Sequence, residues 1–443
     1  MPPRLPLTAV SSPLLRPILP VPRRLFSITS TLLAGPPKAK AAEGAKKQSY
    51  GKKKNTKDES RKGAYAIGER RGIRTRIVLS NTNAQPLDTP PLTPDLSNIT
   101  EAAGNLFAFP EEEVDKLRTL RAFFRTQDWR LFARPSSVLR RQAMEIGSTM
   151  DSFDPVTRRI ILDGYKGSGK SVMLLQLMTW ALQKGWIVIN IPNAQELVIG
   201  HTDYEFDPAS GKWTHPSYTS HMLTQRIAKV NATALANLSL TTTVKLGRNE
   251  YAAGTPLLTA VSSAGRDFAA ATDTLRFLLS ELQNNPETPK VLFAVENFNL
   301  FQIPTVYRDP DFKIIHPHDF ALPSLFNELL RGERKFHNGG LVMGVTSRTI
   351  APRAEAFELF LRGEEIGPYS KADRRIHEGL RGAEVMEMSG MDGEEAASLL
   401  EYCRDTGLLK VDEVEEGLIR EKLLLSSGLP KEIVKSCVRI ARC

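Results

Sequence analysis

The sequence predicts an α/β fold in which helices cover both faces of a parallel β-sheet. Short apolar runs rich in β-branched residues recur along the middle of the chain, and stretches of helical periodicity separate them. One of these runs leads into a glycine-rich loop of the form G-x-x-x-x-G-K-S, and a helical stretch follows the loop. Because apolar strands that alternate with helices form sheets covered on both faces, these patterns together predict a P-loop domain.

The predicted elements divide the chain into four parts. Strands are predicted at 159–163, 186–191, 291–295 and 341–345, and helices at 172–184, 263–284 and 319–332. A helical prelude at 111–150, interrupted at Pro135, precedes them, and helical patterns at 393–405, 413–425 and 430–441 follow them. We therefore expect an N-terminal segment at 1–42, an arm at 43–95, a core with its prelude at 96–350, and a helical lid without strands at 351–443.

The first 42 residues have the composition of a mitochondrial transit peptide. They contain six basic residues, no acidic residue, and many serine, threonine, leucine and proline residues. The run Arg24-Leu25-Phe26-Ser27 resembles the site at which a matrix protease cleaves. We therefore expect import into the mitochondrial matrix and cleavage near 24–27 or later, with a disordered basic tail as the alternative.

The segment 43–95 is expected to be an extended arm. Residues 1–76 together carry 18 Lys/Arg against four acidic residues, so the rest of the chain has a net charge of −5 within the formal total of +9. Basic side chains gain affinity for a polyanion by displacing counterions from phosphates, so the arm is a candidate RNA contact unless its charge serves targeting alone. Four prolines between Gln85 and Asp95 predict an extended linker, or a strap over another surface.

Two classes of protein do not fit the composition. The three cysteines, Cys403, Cys437 and Cys443, are odd in number and form no C-x-x-C pair, so neither a disulfide framework nor a zinc site is indicated. No apolar run approaches the roughly 18–20 residues that cross a membrane as a helix, so we expect no membrane span.

The P-loop carries the chemistry of this sequence. The motif consists of Gly164, Tyr165, Lys166, Gly167, Ser168, Gly169, Lys170 and Ser171, and Val172 continues the helix behind it. Its glycines let N–H groups curl around phosphate oxygens, and the positive end of the following helix points at them. Lys170 is expected to bridge the β- and γ-phosphates and Ser171 to ligate Mg²⁺, so the sequence predicts a Mg²⁺–nucleotide site.

Glu296 is the candidate for the second metal residue. It closes the predicted strand 291–295, where a P-loop protein needs an acid that holds Mg²⁺ through water. The alternative is a glutamate that only ends a strand at the surface. Asn297 follows in place of a second acid that would polarise the attacking water, so we expect hydrolysis to be slow or absent.

Two later segments are further candidates for contact with the nucleotide. Thr346, Ser347 and Arg348 follow the predicted strand 341–345, where related NTPases place a polar residue that senses the γ-phosphate. The Arg348 side chain could reach a phosphate, stay solvated or pair with an acid. The sequence Gly428-Leu429-Pro430 opens the last predicted helix, where some helical lids contact the nucleotide.

Two other patterns resemble ligand sites but predict loops. The segment 370–373 (SKAD) resembles the box that reads guanine, yet no apolar strand precedes it. His316, His318 and Asp319 resemble metal ligands, yet their position before a helix predicts a loop with Asp319 as the N-cap.

The combination of motifs resembles one family. The N-terminal composition, a P-loop written GYKGSGKS, a strand and acid written VLFAVENFN, a later strand written LVMGVTSR and a helical C-terminus are similar to the death-associated protein family of the mitochondrial small ribosomal subunit. The resemblance covers roughly 110–443. By matching position, it assigns Lys170 and Ser171 to the phosphates and the metal, and Glu296 stands where the family usually has aspartate.

The resemblance implies a P-loop domain of the AAA-like type with a bound guanine nucleotide, GTP or GDP, and ATP is the alternative. It also implies a place in the head of the small subunit, in contact with ribosomal RNA and neighbouring small-subunit proteins, and with bridge proteins of the large subunit. The expected function is therefore a structural role in mitochondrial translation, in which the nucleotide stabilises the fold or its docking. The alternatives are a matrix AAA-type ATPase and a nucleotide-dependent signalling switch.

Overall fold

A five-stranded parallel sheet forms the centre of the structure, a computed structural model that describes residues 77–151, 155–349 and 354–438. The strands, numbered along the chain, are β1 (Thr157–Asp163), β2 (Ile187–Ile191), β3 (Val291–Glu296), β4 (Gly340–Val345) and β5 (Glu384–Glu387). Their order across the sheet is β5-β1-β4-β3-β2, and every neighbouring pair is parallel. The predicted α/β class is confirmed, and β1 to β4 are the four predicted strands.

Alternate residues of β1 to β4 face opposite sides of the sheet and enter two hydrophobic cores. In β3, Val291, Phe293 and Val295 belong to one core, whereas Leu292 and Ala294 belong to the other. Both faces of the sheet therefore bury apolar side chains, which is why these strands read as continuous apolar runs in the sequence.

Thirteen α-helices accompany the sheet in the described part of the chain. They are α1 (Glu111–Thr119), α2 (Arg141–Met150), α3 (Lys170–Gln183), α4 (Gln225–Val230), α5 (Ala232–Ala236), α6 (Leu257–Ala264), α7 (Phe268–Asn284), α8 (Ala321–Arg331), α9 (Glu355–Leu361), α10 (Arg374–Glu378), α11 (Gly393–Asp405), α12 (Glu416–Ser426) and α13 (Pro430–Cys437). Apolar side chains of α3 enter one core, and those of α7 and α8 enter the other, so helices cover both faces.

The helix predicted at 263–284 is in fact two helices, α6 and α7. The break lies at Gly265, where a Cβ atom would come within 2.5 Å of Thr224 Cγ2, and at Asp267, whose side chain accepts a hydrogen bond from Ala269 N–H and caps α7. The helical spacing of apolar residues continues across 265–267, which explains why periodicity alone predicted one helix instead of two.

The prelude contains a strand as well as helices. After the break at Pro135, Ser136–Val138 pairs antiparallel with Leu106–Ala108 before α2 begins. Two further hairpins lie between β2 and α6. Their strands are Glu205–Asp207 with Lys212–Thr214, and Val244–Leu246 with Asn249–Tyr251. In the described ranges no helix is both long enough and apolar enough to cross a membrane.

The described part of the arm, residues 77–95, lies as a strap over α3. The Trp180 Nε1–H group donates to the Thr93 carbonyl at 2.9 Å, and the Gln183 side-chain amide donates to the Leu92 carbonyl at 2.9 Å. The Leu92 side chain is buried. This is the strap, not the linker, of the two alternatives for the proline-rich segment. The segments 1–42 and 43–76, with the expected cleavage site, lie outside the described residues.

The expectation that 351–443 contains no strand is wrong. β5 pairs with β1 and forms one edge of the central sheet. It is only four residues long, with two apolar residues between two glutamates, Glu-Val-Met-Glu, so no apolar run marks it in the sequence. The three helices after it, α11 to α13, share a small core of their own and are called the lid helices below.

Candidate nucleotide-binding site

The P-loop joins β1 to α3 at the carboxyl edge of the sheet. Gly164, Gly167 and Gly169 have φ values of +146°, +87° and +99°, in the region that favours glycine. A Cβ atom on Gly164 would also lie 2.6 Å from the carbonyl oxygen of Met388, just after β5. These glycines therefore serve both the turn of the loop and its close approach to the C-terminal part of the chain.

The Lys170 ammonium lies inside the loop. Its Nζ donates to the carbonyl oxygens of Gly164, at 2.6 Å, and Tyr165, at 3.0 Å. Burial lowers the pKa of Lys170, whereas the nearby carboxylates of Asp163 and Glu296 raise it. The Tyr165 and Lys166 side chains, by contrast, are exposed.

The two predicted metal residues meet in the structure. Ser171 Oγ donates to Glu296 Oε2 at 3.2 Å. Glu296 is only 4% exposed, so the alternative of a surface residue that merely ends a strand is wrong. Burial raises the pKa of Glu296 to about 7, although the Ser171 hydrogen bond and the Lys170 charge both lower it. Glu296 forms no ion pair with a basic side chain of the described residues, and a bound cation would favour its ionised form.

The segment after β4 is tied to an acid that the sequence did not single out. Thr346 Oγ1 donates to Asp163 Oδ1 at 2.6 Å, and the Arg348 guanidinium pairs with both Asp163 and Glu358. Burial alone would raise the pKa of Asp163, but hydrogen bonds from Arg348, Thr346 and the Gly164 N–H bring it below its ordinary value. Of the three roles left open for Arg348, the structure shows the one in which it pairs with acids.

Ser347 and Asn297 make amide contacts at the same edge of the sheet. The Ser347 N–H donates to Asn299 Oδ1 at 2.8 Å. Asn297 has a positive φ of +59°, and its Nδ2 donates to Asn193 Oδ1 at 2.7 Å. The position next to Glu296 is therefore occupied by a pair of neutral amides rather than by a second acid.

A cavity of about 420 Å³ adjoins the P-loop, a size typical of small-ligand pockets. Its apolar lining from the prelude consists of Phe124, Trp129, Phe132 and Val138, and that from the C-terminal region consists of Met388, Met391, Leu399, Tyr402, Pro430 and Val434. Its polar end consists of Lys166, Gly167, Gly169, Lys170, Ser171, Asn193, Glu296, Asn297, Thr346, Ser347 and Arg348. The cavity thus has an apolar part between prelude and lid helices and a charged part at the P-loop.

Most of the cavity walls carry no signal in the sequence. The prelude residues and Arg140 carry no motif and are separated from the lid helices by more than 200 positions in the chain. The one signal for the lid was Gly428-Leu429-Pro430, and the structure places Pro430 and Lys431 in the lining. Asp163 ends an apolar run, but its partner Arg348 is 185 positions away.

The two patterns interpreted as loops are loops in the structure. Residues 370–373 precede α10, and the Asp373 side chain caps it by accepting from Arg375 N–H. His318 lies in a short 3-10 helix, Pro317–Asp319, with His316 as its N-cap, and the described residues contain no group of three or more His, Cys, Asp or Glu side chains that could hold a metal ion. The expectation that Asp319 is an N-cap is wrong: Phe320 precedes α8, and Asp319 accepts from Arg375 Nη2 at 2.5 Å.

Comparison with known proteins identifies relatives over most of the chain. The family described as "Mitochondrial ribosomal death-associated protein 3" matches residues 137–436, which include the P-loop, the sheet and the lid helices. A "Small ribosomal subunit protein mS29" from Neurospora crassa is 34% identical over 380 residues, which are 82% of this chain and 80% of the relative. The protein of the same name from Schizosaccharomyces pombe is 27% identical over 79% of this chain and 74% of its own length.

Among solved structures, the chain is similar to Cdc6p from Pyrobaculum aerophilum. The sequence identity is 12%, and the match covers 66% of this chain and 57% of that one. The TM-score is 0.31.

Proposed function

The chain belongs to the mitochondrial ribosomal death-associated protein 3 family, and on that premise we propose that it is a structural component of the mitochondrial small ribosomal subunit whose P-loop holds a Mg²⁺–guanine nucleotide. The family and the names of its relatives support the ribosomal role: the protein works in the small ribosomal subunit in the mitochondrial matrix and supports translation there. The nucleotide is proposed from the geometry of the site.

One observation carries the nucleotide proposal: Ser171 and Glu296 meet beside Lys170 at the mouth of a glycine loop. A hydroxyl and a carboxylate are oxygen ligands, which Mg²⁺ prefers, and the N-terminus of α3 suits phosphate. Ser171 would hold the metal directly and Glu296 through water, while Lys170 would turn from its two carbonyl acceptors to the phosphates. A bound Mg²⁺ would supply the positive charge that the buried carboxylate lacks.

Guanine is proposed for the base because of the polar groups in the prelude wall of the cavity. Asp128 and Gln127 both line it. Gln127 Oε1 accepts from Phe124 N–H and Trp129 Nε1–H, both at 2.7 Å, which fixes the side-chain amide as a donor. A carboxylate accepts from the N1–H and N2–H groups of guanine and faces an acceptor nitrogen in adenine. Asp128 therefore favours guanine, and Asp128→Asn should weaken the preference over adenine.

We propose that the nucleotide acts as a structural ligand rather than as a fuel. The carboxylates among the described cavity-lining residues are Asp128 and Glu296, and the neighbour of Glu296 is an amide paired with Asn193. No third acid is placed there to activate water, so hydrolysis should be slow. A ligand that binds only the folded state stabilises it by about 4 kcal/mol at a thousandfold excess over Kd.

Ribosomal RNA and neighbouring ribosomal proteins are the partners that a small-subunit component requires. For the RNA we propose the basic arm, whose charge suits phosphates without reading bases. Binding of an arm peptide to RNA should fall steeply as salt rises, and equal binding at low and high salt would contradict the proposal. Contacts with bridge proteins of the large subunit are a further proposal, and cross-linking of intact ribosomes tests it.

Two measurements test the proposed function. Sedimentation of mitochondrial lysate should place the protein with the small subunit, and a position at the top of the gradient would contradict the ribosomal role. Chromatography of the nucleotide extracted from the purified protein should give GTP or GDP. Recovery of ATP or ADP alone would contradict the guanine assignment and leave the P-loop site intact.

The alternatives make different predictions for the same protein. A matrix ATPase should turn over at the roughly 1–10³ s⁻¹ that is typical of enzymes, whereas we expect turnover far below this range. A signalling switch should bind different partners in its GTP and GDP states, which pull-down experiments from matrix extract with each nucleotide would show.

A further inference from the structure

We propose that Arg140 is a positioning residue that couples occupancy of the P-loop to the arrangement of the lid helices. The inference rests on the proposed nucleotide site and adds a connection to it. Arg140 is the residue just before α2, and its side chain is buried between the P-loop and the start of α11. Arg140 lies outside the P-loop motif, and no sequence pattern singles it out.

The Arg140 guanidinium contacts both the loop and the lid. Its Nη1 donates to the carbonyl of Ser168 in the P-loop at 3.2 Å, and its Nη2 donates to the carbonyl of Gly390 at 2.9 Å. Its Nε lies 2.6 Å from Glu395 Oε2. The planar guanidinium has donors that point in several directions, so one side chain reaches all three groups.

The contact with Ser168 fixes part of the phosphate cradle. A trans peptide directs its C=O and the following N–H to opposite sides. By holding the Ser168 carbonyl, Arg140 therefore sets the direction of the Gly169 N–H, one of the amides that a P-loop offers to phosphate. A phosphate bound there and the Arg140 side chain hold the same peptide plane from its two sides.

The contact with Glu395 fixes the start of the lid. Glu395 is the third residue of α11 and forms a capping box with Asp392: Glu395 N–H donates to Asp392 Oδ1 at 2.9 Å, and Asp392 N–H donates back to Glu395 Oε2. The carboxylate that binds Arg140 is therefore also the acceptor of the reciprocal hydrogen bond in the capping box at the start of α11.

Two backbone hydrogen bonds also link the P-loop to α13 and to the segment before α11. Met391 N–H donates to the Gly428 carbonyl at 2.7 Å, next to the Gly390 carbonyl that Arg140 holds. Lys431 N–H then donates to the Gly167 carbonyl at 3.3 Å, back in the P-loop. Arg140 and these two backbone hydrogen bonds thus link the P-loop to the starts of α11 and α13, so a shift of the P-loop should move these two helices.

The adjacent residues supply a matched control. Arg141 and Glu394 also form an ion pair, at 2.9 Å, but their side chains are 65% and 81% exposed, against 5% and 3% for Arg140 and Glu395. Neither Arg141 nor Glu394 lines the cavity. The chain therefore carries two Arg–Glu pairs between the same two helix starts, of which one is buried and reaches the P-loop.

The experiment uses the full chain with Mg²⁺ and GDP as the probe, and measures GDP dissociation and amide hydrogen exchange in α11 and α13. In the wild type, GDP should slow exchange in both helices. In Arg140→Gln/Glu395→Gln, GDP should still bind but dissociate roughly tenfold faster, and the slowing of exchange in the lid should be lost. In Arg141→Gln/Glu394→Gln both readouts should match the wild type.

Arg140→Lys separates coupling from stability. It keeps a charge for Glu395 but cannot reach Ser168 and Gly390 together, so the lid response should be lost while the melting temperature changes little. A role in stability alone would lower the melting temperature and keep the response. If the double variant does not fold, Arg140→Lys carries the test. A lid response to GDP that persists in the folded variants overturns the coupling, and a wild type that binds no GDP overturns the proposed nucleotide site itself.

Discussion

The two carboxylates that end β1 and β3 lie on either side of β4, yet their surroundings differ. Asp163 accepts hydrogen bonds from Thr346 and Arg348, and its pKa lies below the ordinary value. Glu296 accepts one hydrogen bond, from Ser171, and burial raises its pKa to about 7. Both side chains are almost fully buried.

The difference shows which acid has a structural partner and which is left for a ligand. Asp163 is already neutralised by an arginine of this chain, so it serves to hold the segment after β4 in place. Glu296 has no cationic partner in an ion pair within the described residues, and only Lys170 lowers its pKa by charge. A buried carboxylate in this condition is costly unless a cation binds beside it.

The largest expected effect concerns the pH dependence of stability in the nucleotide-free chain. Because the folded pKa of Glu296, about 7, exceeds its ordinary value of 4.5, folding favours the protonated acid. Stability should therefore fall as pH rises from about 4.5 to about 7, by about 2–3 kcal/mol between pH 5 and pH 8. Urea unfolding of the wild type and of Glu296→Gln at both pH values measures this.

Glu296→Gln is the control for other titrating groups, because it lacks only the contribution of Glu296 to the pH dependence of stability. Saturating Mg²⁺ and GDP should remove most of the difference between the two chains at pH 8. Identical pH profiles for the wild type and Glu296→Gln would contradict the contrast with Asp163.

A smaller effect is expected from Asp163→Asn. It leaves the Arg348 guanidinium, only about a quarter exposed, with Glu358 as its remaining carboxylate, and should destabilise the fold by about 1–3 kcal/mol at pH 7. Glu358→Gln is the matched change on the same arginine and should cost less, because Glu358 is more exposed. An Asp163→Asn chain that unfolds at the same urea concentration as the wild type would show that Asp163 is not the structural member of the pair.

The smallest effect is expected from Asn297→Asp, next to Glu296. The new carboxylate would lose the hydrogen bond from Asn297 Nδ2 to Asn193, at a cost below about 1 kcal/mol. If the nucleotide is a structural ligand, incorporation into the small subunit should stay at the wild-type level. Loss of incorporation without loss of nucleotide would point to a role for this position beyond binding.

The sequence revealed the parts of the site that are local in the chain. The P-loop is consecutive, and Glu296 and Thr346 each end a predicted strand, so a motif or a strand boundary marks them. Parallel strands bring these ends to one edge of the sheet, which is why the expected meeting of Ser171 and Glu296 is found in the structure.

The sequence could not reveal contacts between distant parts of the chain. Arg140 lies 255 positions from Glu395, and Asp163 lies 185 from Arg348, so neither pair has a local pattern. β5 was missed because an edge strand of four residues needs no continuous apolar run. The prediction of Asp319 as an N-cap was wrong because its carboxylate pairs with Arg375 instead, a tertiary contact that outweighs the local preference.

The central claim is that the nucleotide is a structural ligand of a ribosomal protein, and Lys170→Ala tests it most directly. The change removes the charge that the P-loop backbone cannot replace, so the chain should lose its nucleotide and melt at a lower temperature. In mitochondria that carry the variant, less of the protein should sediment with the small subunit, whereas wild-type subunits should retain bound guanine nucleotide. Normal incorporation of nucleotide-free Lys170→Ala protein, with an unchanged melting temperature, would contradict the claim.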